Sequence, residues 1–155
     1  MNKTQQEKNI GKKIYHLAKK LWPINRSITG NGVRKSLKIL KEICPKLSII
    51  EVPSGKKVFD WIIPQEWNVK EAWIEGPKNK KIINFANNNL HLVGYSQPIN
   101  TTFDLKELKK YLYSLPDQPN AIPYVTSYYK KRWGFCISEK EKNKMQSGKY
   151  KVFIN

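Results

Sequence analysis

Val69-Lys-Glu-Ala-Trp-Ile-Glu-Gly-Pro-Lys-Asn-Lys-Lys-Ile-Ile-Asn-Phe85 is the stretch whose reading decides the fold class. Trp67, Val69 and Trp73 alternate in part with polar residues, so Val69 to Ile74 reads as a strand with one covered face. Gly76-Pro-Lys-Asn-Lys80 is turn chemistry, because Gly and Asn tolerate positive φ and Pro pre-sets its own. Lys81 to Phe85 then returns as the second arm of a hairpin. Behind a helical opening, this hairpin predicts a layered α/β or α+β chain.

The helical opening is legible upstream. Ile10, Ile14, Leu17 and Leu21 recur at i, i+4, i+7 and i+11, with Lys12, Lys13, Lys19 and Lys20 on the other faces. Pro23 ends that helix, and the turn Asn25 to Gly32 leads to a second one with Val33, Leu37, Leu40 and Cys44 inward. Pro45 stops it. Leu47 to Val52 is a short β-type run closed by Pro53-Ser-Gly55, and Val58 to Trp61 is a further short strand. Downstream, Leu90 to Tyr95 reads as a strand. Asp104-Leu-Lys-Glu107 opens a short helix to about Tyr113 with Leu105, Leu108 and Leu112 inward, and Ser138-Glu-Lys-Glu141 opens another. Gly148 suits a helix end. Lys149 to Ile154 carries a strand pattern to the final residues, as in a polypeptide cut short or an edge strand at a free terminus.

Leu115 to Ile137 is of another kind. Pro116, Pro119 and Pro123 fix φ and hold the residues before them extended. Tyr124, Tyr128, Tyr129 and Trp133 place large rings with polar tips on that pre-shaped backbone. Rigid aromatic loops of this type line binding surfaces.

Composition sets outer bounds. A chain of 155 residues with 39% apolar and 26% charged residues is globular and makes one domain or two small ones. No apolar run approaches the ~20 residues that span a bilayer. The first nine residues lack the apolar core of a secretory leader, so the expected location is the cytoplasm. Cys44 and Cys136 lie far apart among apolar residues and read as buried small hydrophobes. The formal charge of +17 invites nucleic acid. Only Arg26, Arg34 and Arg132 offer the bidentate guanidinium, however, and the lysines are spread along the whole chain. A dedicated nucleic-acid function is therefore the weakest of the readings carried forward.

The parts for chemistry are sparse. His16 lies off the apolar stripe of its helix and reads as a solvated surface residue; His91 sits opposite Leu90 and Leu92 and is a candidate ligand or acid–base group. No His-Glu-x-x-His, Cys-x-x-Cys or His-x-Asp pattern is present, so this chain lacks the ligands of a standard metal centre. Ser27 and Ser127 have no nucleophile context. Thr29-Gly30-Asn31-Gly32 reads as a helix-entry turn with a secondary possibility of anion binding. Arg26 and Arg132 suit either a carboxylate ligand or a structural ion pair. Asp60 reads as a hydrogen-bonded structural carboxylate.

Several segments together carry a family resemblance: Trp22-Pro-Ile-Asn-Arg-Ser-Ile-Thr-Gly30, Gly32-Val-Arg34, Glu51-Val-Pro-Ser-Gly55, Val58-Phe-Asp-Trp61, Asn89-Leu-His-Leu-Val-Gly-Tyr-Ser96, Leu115-Pro-Asp-Gln-Pro119, and Ile122-Pro-Tyr-Val-Thr-Ser-Tyr-Tyr129 through Arg132-Trp-Gly-Phe-Cys136. In order and spacing they resemble the N-terminal part of a bacterial aminopeptidase-like family, whose members are described as polysaccharide-biosynthesis proteins with an aminopeptidase-like domain. The resemblance implies a zinc-peptidase scaffold of the leucyl-aminopeptidase type with a small β-rich domain inserted near its N-terminus. Residues 1–57 would then be the helices and first strand of the core, 58–137 the inserted domain, and 138–155 a helix and strand returning to the core.

The family's metal motifs, His-x-x-His-Pro and Asn-Asp-Asn, match nothing here, so the implied zinc belongs to the complete family member, where it would activate water. The resemblance implies that this chain alone is inactive and contributes a cleft wall. Arg26, His91, Tyr128, Tyr129, Arg132 and Trp133 are the candidates for gripping a peptide-like or sugar-linked substrate. The missing C-terminal portion of the enzyme is the expected partner. Helices lacking most of their sheet should expose Leu17, Leu21, Leu37 and Leu40. The alternatives are a non-catalytic glycan- or peptide-binding module and a basic nucleic-acid-associated domain.

Overall fold

The computed structural model describes residues 3–155, with side chains from Asn9 onward. The reading of the first nine residues as carrying no secretory leader therefore falls largely outside the described side chains. The chain is α+β and divides into two compact units, Met1–Glu66 and Trp67–Asn155.

The first unit is a helical pair with an irregular tail. Helices α1 (Lys3–Leu21) and α2 (Asn31–Ile43) form where the 3.6-residue periodicity predicts them. Between them the chain turns tightly: a Cβ at Gly32 would collide with the carbonyl of Asn25, and Gly30 caps α2 at φ 96°. Leu47 to Val52 forms neither helix nor strand. Past Gly55, at φ 83°, the short strands β1 (Lys57–Val58) and β2 (Trp61–Ile62) pair as a hairpin. Among the described residues no large apolar side chain of this unit is fully buried. Leu17, Leu21, Leu37 and Leu40 are half-buried, and the exposed apolar surface falls instead on neighbours such as Ile10, Ile14, Ile43 and Ile50. Cys44, expected to be buried, is exposed because α2 ends beside it.

The second unit holds the core. Strands β3 (Ala72–Gly76) and β4 (Lys80–Asn84) make the expected hairpin, with Lys78 and Asn79 at positive φ in its turn. Strand β5 (Ile99–Asp104) runs directly into a short helix α3 (Leu105–Leu108). After it come β6 (Leu112–Tyr113), β7 (Phe135–Cys136), a short helix α4 (Glu139–Asn143) and β8 (Lys149–Ile154). The main sheet has the order β4-β3-β8-β5 and is antiparallel throughout. Ala72, Ile74, Ile83, Tyr150, Val152 and Ile154 face one side of it and pack with Leu108, Leu112, Phe135 and Ile137. The opposite face carries Trp73 stacked on Phe153 at 5.3 Å between centroids, with the Lys81 ammonium 4.8 Å from the Trp73 ring.

The β1–β2 hairpin spans residues 57–62 and lies wholly within the first unit. Backbone bonds from Gly55 to Ile63, the Ser54 hydroxyl on the Pro64 carbonyl, and the Arg34–Glu66 pair tie everything to residue 66 into the first unit. Lys149 to Ile154 is laced between β3 and β5. Leu90 to Tyr95 is not a strand: Asn88 accepts from Leu90 N–H and curls the chain into a 3-10 turn. Ser138 does cap α4, accepting from the N–H of Glu141 at 3.3 Å.

Ile74 lies at the sheet centre with no exposed surface. Ile74→Ala should destabilise the chain by ~2–5 kcal/mol in urea unfolding, whereas Ile50→Ala, at a position 85% exposed, should change it by less than ~0.5 kcal/mol.

Candidate functional site

Residues 92–97 and 124–134 are held against each other by main-chain bonds. Val93 N–H donates to Gly134, Gly94 N–H to Val125, Ser127 N–H to Gly94, and Gln97 N–H to Arg132. The approach is close because both contact points are glycine. A Cβ on Gly94 would stand 2.8 Å from the Thr126 hydroxyl, and one on Gly134 would stand 2.7 Å from the Tyr113 ring. Ser96, fully buried, bonds the Val93 carbonyl at 2.7 Å and accepts from Gly134 N–H.

On this frame sits a run of aromatic rings. Trp67 stacks on Tyr95 with centroids 5.5 Å apart, Tyr95 meets Tyr128 edge-on at 5.1 Å, and Tyr128 meets Tyr129 at 6.4 Å. Tyr95 holds φ 63°, unusual for an aromatic residue, and the packing on both sides of its ring keeps it there. The Tyr124 and Tyr128 hydroxyls stand 3.5 Å apart. That bond, with partial burial, raises the Tyr124 phenol above its ordinary value. The outer end of the run is open to solvent, with Tyr124 66% and Tyr129 68% exposed.

The six residues singled out from sequence do not form one cluster. Tyr128 and Tyr129 lie in the aromatic run. Arg132 lies under it: its Nη2 donates to the Thr126 carbonyl at 2.8 Å, its guanidinium sits 5.8 Å from the Tyr113 ring, and its buried Nε has no protein partner. Trp133 stacks on Tyr111 at 4.1 Å and leans on Phe103, which makes it part of the core's flank. His91 places Nδ1 2.8 Å from the Cys136 carbonyl, half-buried. Arg26 lies in the first unit, where it donates to the Leu21 carbonyl at the C-terminal end of α1. Tyr95 was not anticipated from sequence; Gly94 before it is the one visible hint that the chain turns there. Cys136 is sealed inside, and burial pushes its thiol up to about 11.

Among the described residues, no group of three or more His, Cys, Asp or Glu side chains gathers as a metal ion would require. Among the described residues no helix is long and apolar enough to cross a membrane.

The second unit thus combines an antiparallel sheet with a pinned aromatic loop, and the chain as a whole is similar to peptidase-like proteins. The solved "putative peptidase" of Clostridium acetobutylicum matches 97% of this chain at a TM-score of 0.92 and 46% identity, over 36% of its own length. Residues 66–155 match the family described as Domain of unknown function (DUF2172), and the chain belongs to that family. A curated protein of Clostridium acetobutylicum, "Putative polysaccharide biosynthesis protein with aminopeptidase-like domain", is 46% identical over 151 residues, which are 97% of this chain and 35% of that protein. The chain thus spans about a third of the length of the curated relative it matches.

Two titrations check the site. Ellman's reagent should modify Cys44 in the native protein and reach Cys136 only after unfolding. Tyr128→Phe should lower the Tyr124 titration seen by near-ultraviolet absorbance, since the hydroxyl pair is the main cause of its elevation. Because the folded phenol titrates higher than the unfolded one, this contribution to stability is complete below the ordinary tyrosine value of 10.0 and is lost as pH rises through the folded value.

Proposed function

We propose that this chain is the N-terminal portion of a metal-dependent, aminopeptidase-like hydrolase associated with polysaccharide biosynthesis, working in the cytoplasm on a leucyl-aminopeptidase-type core. One observation carries the reading: 97% of the chain aligns at 46% identity with a relative named for an aminopeptidase-like domain. Among the described residues no group of His, Cys, Asp or Glu fits a zinc site. In this reading zinc and its ligands are assigned to polypeptide equivalent to the unmatched part of the relative, and no catalytic step is assigned to this chain.

What the chain supplies is a wall. The rings of Tyr124, Tyr128 and Tyr129 offer apolar faces with hydroxyl tips, a surface suited to a sugar ring or the side chain of a peptide-like substrate. Arg132, anchored by Thr126, holds positive charge beneath them for a carboxylate. His91 and Trp133 keep that wall in shape through the Cys136 carbonyl and the Tyr111 ring. Arg26 would act separately, from the end of α1.

The exposed tyrosines also favour a second reading, a glycan- or peptide-binding module without catalysis. The two part on one experiment. Residues 1–155 with added zinc should hydrolyse no aminoacyl-p-nitroanilide, and joining them to the remaining two thirds of the Clostridium relative should restore hydrolysis. Inactivity of the joined protein, with retained glycan or peptide binding by the chain, would favour the binding module. In the active fusion, Tyr129→Ala should raise KM several-fold with kcat and melting temperature little changed, because the ring is 68% exposed.

A further inference from the structure

Arg132 is half-buried and has no acidic partner. Among the described residues no carboxylate stands within ion-pair distance of it. Its protein hydrogen bond runs from Nη2 to the Thr126 carbonyl at 2.8 Å, while Nε is sealed from solvent with no acceptor. The Thr126 hydroxyl is sealed and unpartnered in the same way. The Tyr113 ring, 5.8 Å away, adds only a weak attraction. A cation taken part-way out of water is ordinarily paired, because desolvation is costly. A planar fork with most of its donors unspent suits an anion.

The neighbourhood supplies no negative charge of its own. No acidic residue lies between Asp117 and Glu139, or between Glu75 and Asp104, so both segments of the loop frame, 92–97 and 124–134, are free of carboxylates. Lys130 and Lys131 stand directly before Arg132, both exposed. The lysine-rich composition of the chain does not by itself explain this imbalance. On the outer face of the sheet Lys81 pairs with Glu71, Lys149 pairs with Asp104, and Lys151 lies opposite Glu75 in register. Thr126 links the uncompensated cations to the tyrosines. Its carbonyl takes the Arg132 bond, and its side chain partly offsets the rise that Tyr128 imposes on the Tyr124 phenol. The Tyr124 and Tyr128 hydroxyls and the exposed Tyr129 ring complete the surface. Phenol hydroxyls donate to anion oxygens and to sugar hydroxyls, and an aromatic face covers the C–H face of a pyranose. The free amine of a peptide would need a carboxylate, and this surface offers none.

We infer that Arg132, Lys130, Lys131 and the adjoining tyrosines form a site for a negatively charged sugar: the cations hold its phosphate or carboxylate group, and its ring lies on Tyr129. Phosphate and carboxylate share the chemistry that the guanidinium fork reads. The inference rests on the cleft-wall reading and gives that wall its ligand class.

The test is a calorimetric titration of residues 1–155 with glucose 1-phosphate, glucuronate, glucose and inorganic phosphate. At least one charged sugar should bind about ten-fold or more tighter than glucose and than phosphate, and the better of the two identifies the anionic group. Sodium chloride should weaken that binding. Arg132→Gln should lower affinity for the charged sugar by about ten-fold or more and flatten the salt dependence. Because Arg132 also holds the Thr126 carbonyl, the exposed pair Lys130→Gln with Lys131→Gln is the second variant, expected to weaken binding several-fold at an unchanged melting temperature. Lys81→Gln, on the outer sheet face, should change nothing. Equal affinity for glucose and the charged sugars, or no binding of any of them, overturns the inference. So does phosphate binding as tightly as the charged sugars, tighter binding of the dipeptide Ala-Ala, or affinity for a single-stranded oligonucleotide that rises with its length. Charged-sugar binding by the chain, with the joined protein inactive, keeps this site and removes the hydrolase. An active joined protein whose hydrolysis is untouched by charged sugars, with none bound by the chain, does the reverse.

Discussion

Six residues, Lys149 to Ile154, hydrogen-bond on one side to β3 and on the other to β5. Without them the β3–β4 hairpin and the β5–α3 segment have no common neighbour, since they lie on opposite sides of β8. The side chains obey the same constraint. Tyr150, Val152 and Ile154 point into the core, where Ile74, Leu108 and Phe135 meet them, and Phe153 points out to stack on Trp73. Alternation along this one strand therefore sorts inside from outside for the whole second unit. At its start Lys149 pairs with Asp104 at 3.1 Å, the residue that ends β5 and opens α3.

The two units differ in how they satisfy their apolar residues. The second closes a core in which large side chains such as Tyr150, Phe135, Ile74 and Leu108 lose nearly all contact with water. The first only half-buries its leucines and leaves several isoleucines in solvent. At ~25 cal/mol per Å² of apolar surface removed from water, the second unit gains most of the hydrophobic stabilisation. The aromatic loop belongs to the stable unit, which lets it keep an awkward backbone at Tyr95 and a tight approach at Gly94.

Helices α1 and α2, the β3–β4 hairpin, the Ser138 cap and β8 were all legible from the chain, because each is dictated by local periodicity or turn chemistry. The missed elements depend on distant partners. Ile99 to Asp104 has an unremarkable pattern, Ile-Asn-Thr-Thr-Phe-Asp, and becomes a strand because β8 lies beside it. Leu90 to Tyr95 has strand composition, but the Asn88 side chain captures its first N–H. Leu47 to Val52 reads as a β-type run by composition but forms no strand among the described residues. For the candidate site, Tyr128, Tyr129 and Arg132 stood out as residue types. Their relation to Trp67 and Tyr95 did not, because stacking across a separation of dozens of residues leaves no periodic trace.

The position of β8 at the sheet centre has a consequence for synthesis. A ribosome releases β3, β4 and β5 well before the strand that joins them. The β3–β4 hairpin can close as it emerges, since its arms are separated by a tight turn. Strand β5 must wait, its edge unpaired, until residues 149–154 follow it into solution. In the interval the nascent chain carries two open β edges, the kind of exposure that chaperones recognise and that favours wrong pairing. Late, non-local closure of this sort places the sheet's formation at the slow end of folding for a domain of this size.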